Sequence, residues 1–134
     1  MRYMLDTNIC IYIINQKPVS YLKNLGRFER NSSLTISAIV LAELQYGVSN
    51  SLHKEQNQIN LDVFLSKIDV IPFSAKCALY YGEIRTKLKK EGIIIGNNDL
   101  LIASHALAEQ AILVTNNIGE FKRIPELQLE NWEK

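Results

Sequence analysis

A short apolar run that ends on an acid constrains the fold of this chain more than any other feature. Residues 3–5 are uninterrupted apolar residues, a pattern typical of a central parallel strand that is covered on both faces. Asp6 ends the run, and Thr7 and Asn8, two favourable N-cap residue types, then open the apolar segment 9–14. Asp6 is therefore predicted at the carboxyl end of the first strand, where open α/β sheets bind ligands. A role as a capping acid explains this stretch equally well.

Short apolar runs alternate with helical patterns along the rest of the chain. Strands are predicted at 34–36, 70–73, 112–114 and 127–129, and helices at 8–15, 19–30, 38–48, 53–67, 75–91 and 98–110. Pro72 places the third strand at an edge or at its own end. Strands that alternate with helices predict an α/β fold with a parallel sheet and helices on both faces.

The composition narrows the class of protein. The 134 residues suit one domain, 1–134, and the net charge of +1 gives no global basic field, although a local basic groove is compatible with it. Cys10 and Cys77 lie in apolar helical patterns and are predicted to be reduced core thiols. No apolar run approaches the roughly 20 residues of a membrane span, and no room for a signal peptide precedes the first strand, so we expect a cytoplasmic protein.

Two further acids stand among apolar neighbours. Glu43 is the only charged residue in the segment 38–48, where it either faces solvent or needs a partner. Asp99 lies in the first turn of a predicted helix, a position that favours an acid through the helix dipole alone. A doubly wound sheet could bring both to the end of the first strand, beside Asp6.

Three carboxylates in one pocket require a positive partner, because like charges repel. The sequence fixes no Lys or Arg beside Asp6, Glu43 or Asp99. Oxygen ligands without His or Cys indicate Mg²⁺, with Mn²⁺ as a second choice. Such a centre suits phosphodiester hydrolysis, since the cation lowers the pKa of a bound water and shields the charge that grows at phosphorus.

These residues and their surroundings resemble the PIN-domain ribonucleases, and most closely the VapC-type toxins of bacterial toxin–antitoxin pairs. The resemblance is carried, in order, by Met4-Leu5-Asp6-Thr7-Asn8, Ile36-Ser37, Ala42-Glu43-Leu44 with Gly47, Ile95-Gly96-Asn97-Asn98-Asp99-Leu100-Leu101-Ile102-Ala103, Leu113-Val114-Thr115-Asn116-Asn117, Phe121-Lys122-Arg123-Ile124-Pro125 and Glu130-Asn131-Trp132. It implies a three-layer α/β/α sandwich with a parallel central sheet. It also implies a metal-dependent endoribonuclease with structured tRNA as the first expected substrate, a cognate VapB-like antitoxin and a homodimer.

The resemblance also assigns roles to individual residues. Asp6 and Asp99 match the metal-binding aspartates of the family, and Glu43 matches the acid that completes the cluster. Many PIN domains carry a fourth Asp after the fourth strand, where this chain has Asn117. An amide oxygen can still bind a hard cation or orient a water, but it adds no charge, which puts a second tightly held metal ion in doubt.

Two other functions are weighed against the ribonuclease. A phosphotransferase of the aspartyl-phosphate type also places an Asp at the end of its first strand, but it needs a second acid two residues later, where this chain has Asn8. A binding module that kept the fold and lost the chemistry is the other alternative, and the three retained acids argue against it. A metal titration combined with a ribonuclease assay separates all three.

Several further residues are weaker candidates. Thr7 could offer its hydroxyl to the metal shell or act only as a cap. The basic run 85–90 is either a solvated helix face or a path for phosphates, and Lys122-Arg123, which is closer to the expected site, is slightly favoured for RNA contact. His53 and His105 are expected to be solvated or structural.

Overall fold

A parallel five-stranded sheet forms the centre of the fold. The computed structural model describes residues 2–15 and 33–132, and the helix predicted at 19–30 lies outside them. The sheet has the order β3-β2-β1-β4-β5, and all four strand pairs are parallel. The strands are β1 (Arg2–Leu5), β2 (Ser33–Ser37), β3 (Asp69–Ile71), β4 (Ile112–Val114) and β5 (Leu129–Glu130).

Helices cover both faces of this sheet. They are α1 (Thr7–Ile14), α2 (Ala38–Ser49), α3 (Lys54–Leu65), α4 (Ala75–Lys90), α5 (Asn97–Ala108) and α6 (Ile118–Phe121). Helices α1, α2 and α3 pack against one another, and α4 packs along α5. Because parallel crossovers are right-handed, the change of direction in strand order puts the two groups on opposite faces. The predicted three-layer α/β/α sandwich is confirmed.

The central position of β1 explains its unbroken apolar run. Tyr3 is paired with Leu34 on one side and with Ile112 on the other. Met4 and Leu5 are completely buried, since helices cover the strand above and below. At the other extreme, β3 forms one edge of the sheet, as Pro72 indicated.

The strand order reverses between β1 and β4, and this reversal positions the site. The chain runs from β1 outward to β2 and β3, then returns across the sheet to β4 on the other side of β1. The carboxyl ends of β1 and β4 therefore flank a crevice, which is where such sheets bind ligands. Asp6 lies at this crevice, and its backbone N–H donates to the Val114 carbonyl at 3.1 Å.

The structure corrects the sequence prediction in three places. The N-cap of α1 is Asp6, whereas Thr7 and Asn8 already belong to the helix. The last strand is Leu129–Glu130, a shift from the predicted 127–129, and the short helix α6 follows the expected turn at Asn117. Gly92, with φ +71°, follows the end of α4, because glycine adopts the left-handed conformation without strain.

Cys10 and Cys77 are buried free thiols, as predicted. Among the described residues, no helix has the length and apolarity needed to cross a membrane.

Candidate active site

Asp6 is buried at the carboxyl end of β1 and has a structural role as well as a charge. One carboxylate oxygen accepts the backbone N–H of Ile9 at 3.0 Å, which caps α1. Burial raises the pKa of Asp6, a hydrogen bond from the Thr115 side chain lowers it, and the charge of Glu43 raises it again. The capping role is therefore confirmed, and the same carboxyl group is also exposed to the charge of Glu43.

Glu43 reaches the same crevice from the middle of α2. Its Oε1 accepts a hydrogen bond from the Thr7 hydroxyl at 2.8 Å, across 36 positions of sequence. The side chain is partly buried and therefore does not simply point to solvent. Thr7 is thus neither the cap of α1 nor free, since it orients Glu43.

Asp99 lies in the first turn of α5 and carries the largest electrostatic perturbation of the three predicted acids. Its pKa is raised to about 6, first by burial and then by the charges of Glu120, Asp6 and Glu43. A hydrogen bond to Glu120 raises it further, because it favours the protonated form. These effects place Asp6, Glu43 and Asp99 within electrostatic range of one another at the carboxyl end of the sheet, where the doubly wound topology predicted them.

Glu120 is a fourth acid of the site and was missed by the sequence analysis. It lies in α6, where its Oε1 accepts the Gly96 N–H at 3.3 Å and its Oε2 accepts the Asn117 side-chain amide at 2.7 Å. A signal was available, because an Asn followed three residues later by a Glu is a variant of the capping box that begins a helix. The short α6 was not predicted, and Glu120 was not considered as a site residue.

Asn117 contacts the site through Glu120. Its amide nitrogen holds Glu120 Oε2, and its backbone N–H donates to the Thr115 hydroxyl at 2.9 Å. Thr115 is fully buried and also contacts Asp6. Asn117 therefore connects Glu120 to Asp6 through Thr115. The residue type alone did not predict this connection.

Comparison with known proteins identifies the family. The sequence model of the PIN domain matches residues 3–127. The chain belongs to the PIN-domain family. It is 67% identical over 134 residues, the whole of both chains, to Ribonuclease VapC2 of Rickettsia felis. It is 39% identical over 133 residues, 98% of each chain, to the tRNA(fMet)-specific endonuclease VapC of Salmonella typhimurium.

Solved structures agree with the sequence comparison. The crystal structure of VapBC2 from Rickettsia felis bound to a DNA fragment from their promoter contains a chain that matches with a TM-score of 0.96. The match is at 65% identity and covers 99% of this chain and 100% of that chain. The predicted resemblance to VapC-type PIN domains is confirmed along the full fold.

The acids of this PIN domain fit a hard divalent cation. The single ion pair in the described ranges, 2–15 and 33–132, joins Arg2 to Glu109, so no Lys or Arg neutralises the four acids there. In the same ranges, no three His, Cys, Asp or Glu side chains are grouped tightly enough to enclose a metal. Mg²⁺ does not require such a cage, since it is commonly held by one or two carboxylates with waters and phosphate oxygens completing its shell.

The remaining sequence candidates of the PIN domain divide between the core and the surface. His105 is fully buried with its Nδ1 2.7 Å from Ser37 Oγ, and His53 is exposed at the start of α3, so both fit the expected structural or solvated roles. Lys122 is exposed. The Arg123 guanidinium donates to the carbonyls of Ile94 and Glu120, both at 3.2 Å, and so fastens the loop before α5.

Proposed function

We propose that this PIN domain is a Mg²⁺-dependent endoribonuclease that hydrolyses RNA phosphodiester bonds, with Mn²⁺ as an alternative cation. It is a ribonuclease of the VapC type and the toxin of a toxin–antitoxin pair, as its full-length identity to VapC ribonucleases supports. The observation that carries the metal dependence is the approach of Asp6, Glu43, Asp99 and Glu120 at the carboxyl end of the sheet, where burial first and then the charges of the other three acids raise the pKa of Asp99 to about 6.

Each residue of the site is proposed to have a distinct role. Asp6 and Asp99 are proposed to hold the cation, which when bound would lower the pKa of a water and shield the charge that grows on the phosphate. Thr7 fixes the Glu43 carboxylate, so that this group can orient a water by hydrogen bonding. Asn117 and the Gly96 N–H fix Glu120 beside Asp99, and the carboxyl oxygens of Asp99 hold a proton below about pH 6.

Structured tRNA is the proposed substrate class. The support is the Salmonella typhimurium relative, which is named as a tRNA(fMet)-specific endonuclease and is similar over 98% of this chain. The site lies at the carboxyl ends of the central strands and is lined by charged groups. Such a site suits a backbone phosphate more than an apolar small molecule. The cytoplasm, where tRNA is found, is the proposed location.

An assay with purified chain tests this function directly. The chain is incubated with initiator tRNA and with an elongator tRNA of matched length, each in Mg²⁺ and in EDTA. Site-specific cleavage that requires Mg²⁺ and disappears in Asp99→Asn supports the proposal. A folded chain that binds tRNA and leaves every RNA intact in Mg²⁺ and in Mn²⁺ would instead identify a binding module on a PIN fold.

The cognate partner is proposed to be a VapB-like antitoxin. An apolar groove of about 220 Å³ between α1, α2 and α3 is lined by Ile11, Ile14, Leu44 and Val48 and opens beside Glu43. An antitoxin helix or strand can fill the groove, while an Arg from the partner neutralises the acids where the cation would bind. We also propose a homodimer, since exposed apolar side chains such as Ile11 and Tyr46 favour association.

Competition between metal and peptide tests the antitoxin proposal. A basic peptide from the antitoxin should inhibit cleavage less well as the Mg²⁺ concentration rises, and Glu43→Gln should weaken its binding. Inhibition that is complete at every Mg²⁺ concentration, with unchanged affinity for the Glu43→Gln variant, would place the inhibitory contact elsewhere.

A further inference from the structure

A hydrogen-bonded chain of three side chains links the basic half of α4 to the start of α5. The Arg85 Nη1 donates to the Tyr81 hydroxyl at 2.7 Å, and this hydroxyl donates to Asn97 Oδ1. The Arg85 guanidinium also lies 5.8 Å from the centre of the Tyr81 ring, within the range of a cation–π contact. An exposed arginine is thus held in one place and linked through Tyr81 to Asn97, which lies two residues before Asp99.

This chain of side chains borders a cavity at the start of α5, the helix whose first turn carries Asp99. An open cavity of about 520 Å³ is lined by Arg85, Lys89 and Asn97 and by residues 92–95 of the loop before α5. A Cβ atom built on Gly96, the last residue before α5, would lie 3.9 Å from Asp99 Oδ2. The loop that lines the cavity therefore leads through Gly96 to the turn of α5 that carries Asp99.

The cavity carries positive charges and the acidic crevice carries negative ones, and neither set is neutralised by ion pairs within the described residues. Neither Arg85 nor Lys89 makes an ion pair with any residue in the described part of the chain. The neighbouring crevice holds four acids, which repel an RNA strand wherever no cation intervenes. A polyanion that enters such a crevice gains affinity and register from basic groups beside it that contact its phosphates.

We infer that Arg85, fixed by Tyr81 and Asn97 and assisted by Lys89, binds an RNA phosphate that flanks the scissile one. This inference rests on the proposed ribonuclease function. The planar guanidinium presents several donors at once, so that those not bonded to Tyr81 are available to two phosphate oxygens. The bound strand would lie over the loop 92–95 and reach the acids past Gly96.

The same helix supplies a matched control. Lys87 is also exposed, but it lines a different depression of α4, which Glu83 and Glu91 share. The changes Arg85→Gln and Lys87→Gln each remove one positive charge from the same helix. A solvated helix face would respond equally to both, whereas a phosphate site at Arg85 responds to one.

Binding is measured by fluorescence anisotropy of labelled tRNA across a series of NaCl concentrations, in the Asp99→Asn background to prevent cleavage. Arg85→Gln should weaken binding about fourfold and reduce the slope of log K against log salt by about one, as expected for one lost phosphate contact. Lys87→Gln should change neither. In the cleaving enzyme, Arg85→Gln should raise KM and leave kcat at saturating tRNA nearly unchanged.

Two milder variants preserve the test if Arg85→Gln folds poorly. Arg85→Lys keeps the charge and loses the planar donors, and Tyr81→Phe keeps Arg85 and removes its hydroxyl partner, so each should weaken binding by less than Arg85→Gln. Equal affinities and salt slopes for all variants and for Lys87→Gln, in a chain that cleaves tRNA, would overturn the subsite alone. A chain that neither cleaves nor binds RNA would overturn the proposed function and the subsite with it.

Discussion

Two neighbouring strands end on polar residues that perform the same task in the fold. Asp6 follows β1 and accepts the Ile9 N–H, while Ser37 ends β2 and accepts the Ile39 N–H, both at 3.0 Å. Each residue therefore caps the helix that comes directly after its strand. Both are buried at the carboxyl edge of the sheet.

The two caps differ in what surrounds them. Ser37 is neutral, and its Oγ forms a second hydrogen bond inside the core, with His105 Nδ1 at 2.7 Å. Asp6 brings a charge to a crevice that already holds three other acids, and burial raises its pKa. Since Ser or Asn would cap α1 as well as Asp does, the fold does not require the charge at Asp6. The difference fits the proposal that Ser37 serves stability and Asp6 serves catalysis.

Asp6→Asn gives the largest expected effect. The variant keeps the size of the side chain and a good capping group while removing a charge from the acidic crevice. Cleavage of tRNA in Mg²⁺ should fall by more than about a hundredfold, beyond the usual effect of losing a residue that only supports a metal ligand. The melting temperature in EDTA should stay the same or rise, which circular dichroism will measure. Wild-type cleavage by a folded Asp6→Asn protein would remove Asp6 from the site.

Ser37→Ala should have the opposite profile. It removes the cap of α2 and leaves the buried His105 Nδ1 without its partner, two losses of about 1 kcal/mol each. Urea denaturation should therefore show a free energy of unfolding lower by about 2 kcal/mol. Ser49→Ala, at the exposed end of α2, is the control and should be nearly neutral. If Ser37→Ala abolished cleavage without loss of stability, the contrast between the two caps would be wrong.

The raised pKa of Asp99 predicts an unusual dependence of stability on pH. Its folded pKa of about 6 lies above the ordinary value of 3.8, so the folded state binds more protons than the unfolded state between these values. In EDTA, the melting temperature should therefore contain a contribution that is lost as the pH rises from about 4 to about 6. Asp99→Asn should lack this contribution. An equal fall in wild type and variant would assign it to another group.

Glu120→Gln should produce a smaller change in the same window. Glu120 raises the pKa of Asp99 through its charge and through a hydrogen bond, although burial has the greater effect. Replacing it with the neutral amide should lower the pKa of Asp99 and move the midpoint of its titration to lower pH. Carboxyl NMR titration of the metal-free protein measures the midpoint. An unchanged midpoint would show that Glu120 and Asp99 do not interact in solution.

Much of the fold follows from local patterns in the sequence. The buried run at residues 3–5, the alternation of strands and helices and the position of Pro72 predicted the parallel sheet and its edge strand. The predicted elements that fall on described residues agree with the structure to within one to three residues for most helices and strands. The four-residue α6 escaped prediction, since so short a helix shows no periodicity.

The candidate site was predictable only in part, because some of its contacts join segments that are distant in sequence. Asp6, Glu43 and Asp99 could be predicted because each is an acid among apolar neighbours in sequence. The topology then brings them to the same end of the sheet. Glu120 stands in a polar segment where an acid is ordinary, and its contacts come from the Gly96 N–H, which is distant in sequence. Similarly, the bond between Thr7 and Glu43 joins two elements whose relative placement depends on the packing of α1 and α2.

Calorimetric titration of Mn²⁺ into the metal-free chain most directly tests the central claim, which is that Asp6 and Asp99 hold a cation in the acidic crevice. The wild type should bind Mn²⁺ saturably at pH 6 and release protons on binding, because the cation displaces the proton held at Asp99. Asp99→Asn, with an unchanged melting temperature or a higher one, should bind far more weakly, and Mg²⁺ should compete in the wild type. Equal affinity in the two proteins, or cleavage of tRNA by the wild type in EDTA, would contradict the account.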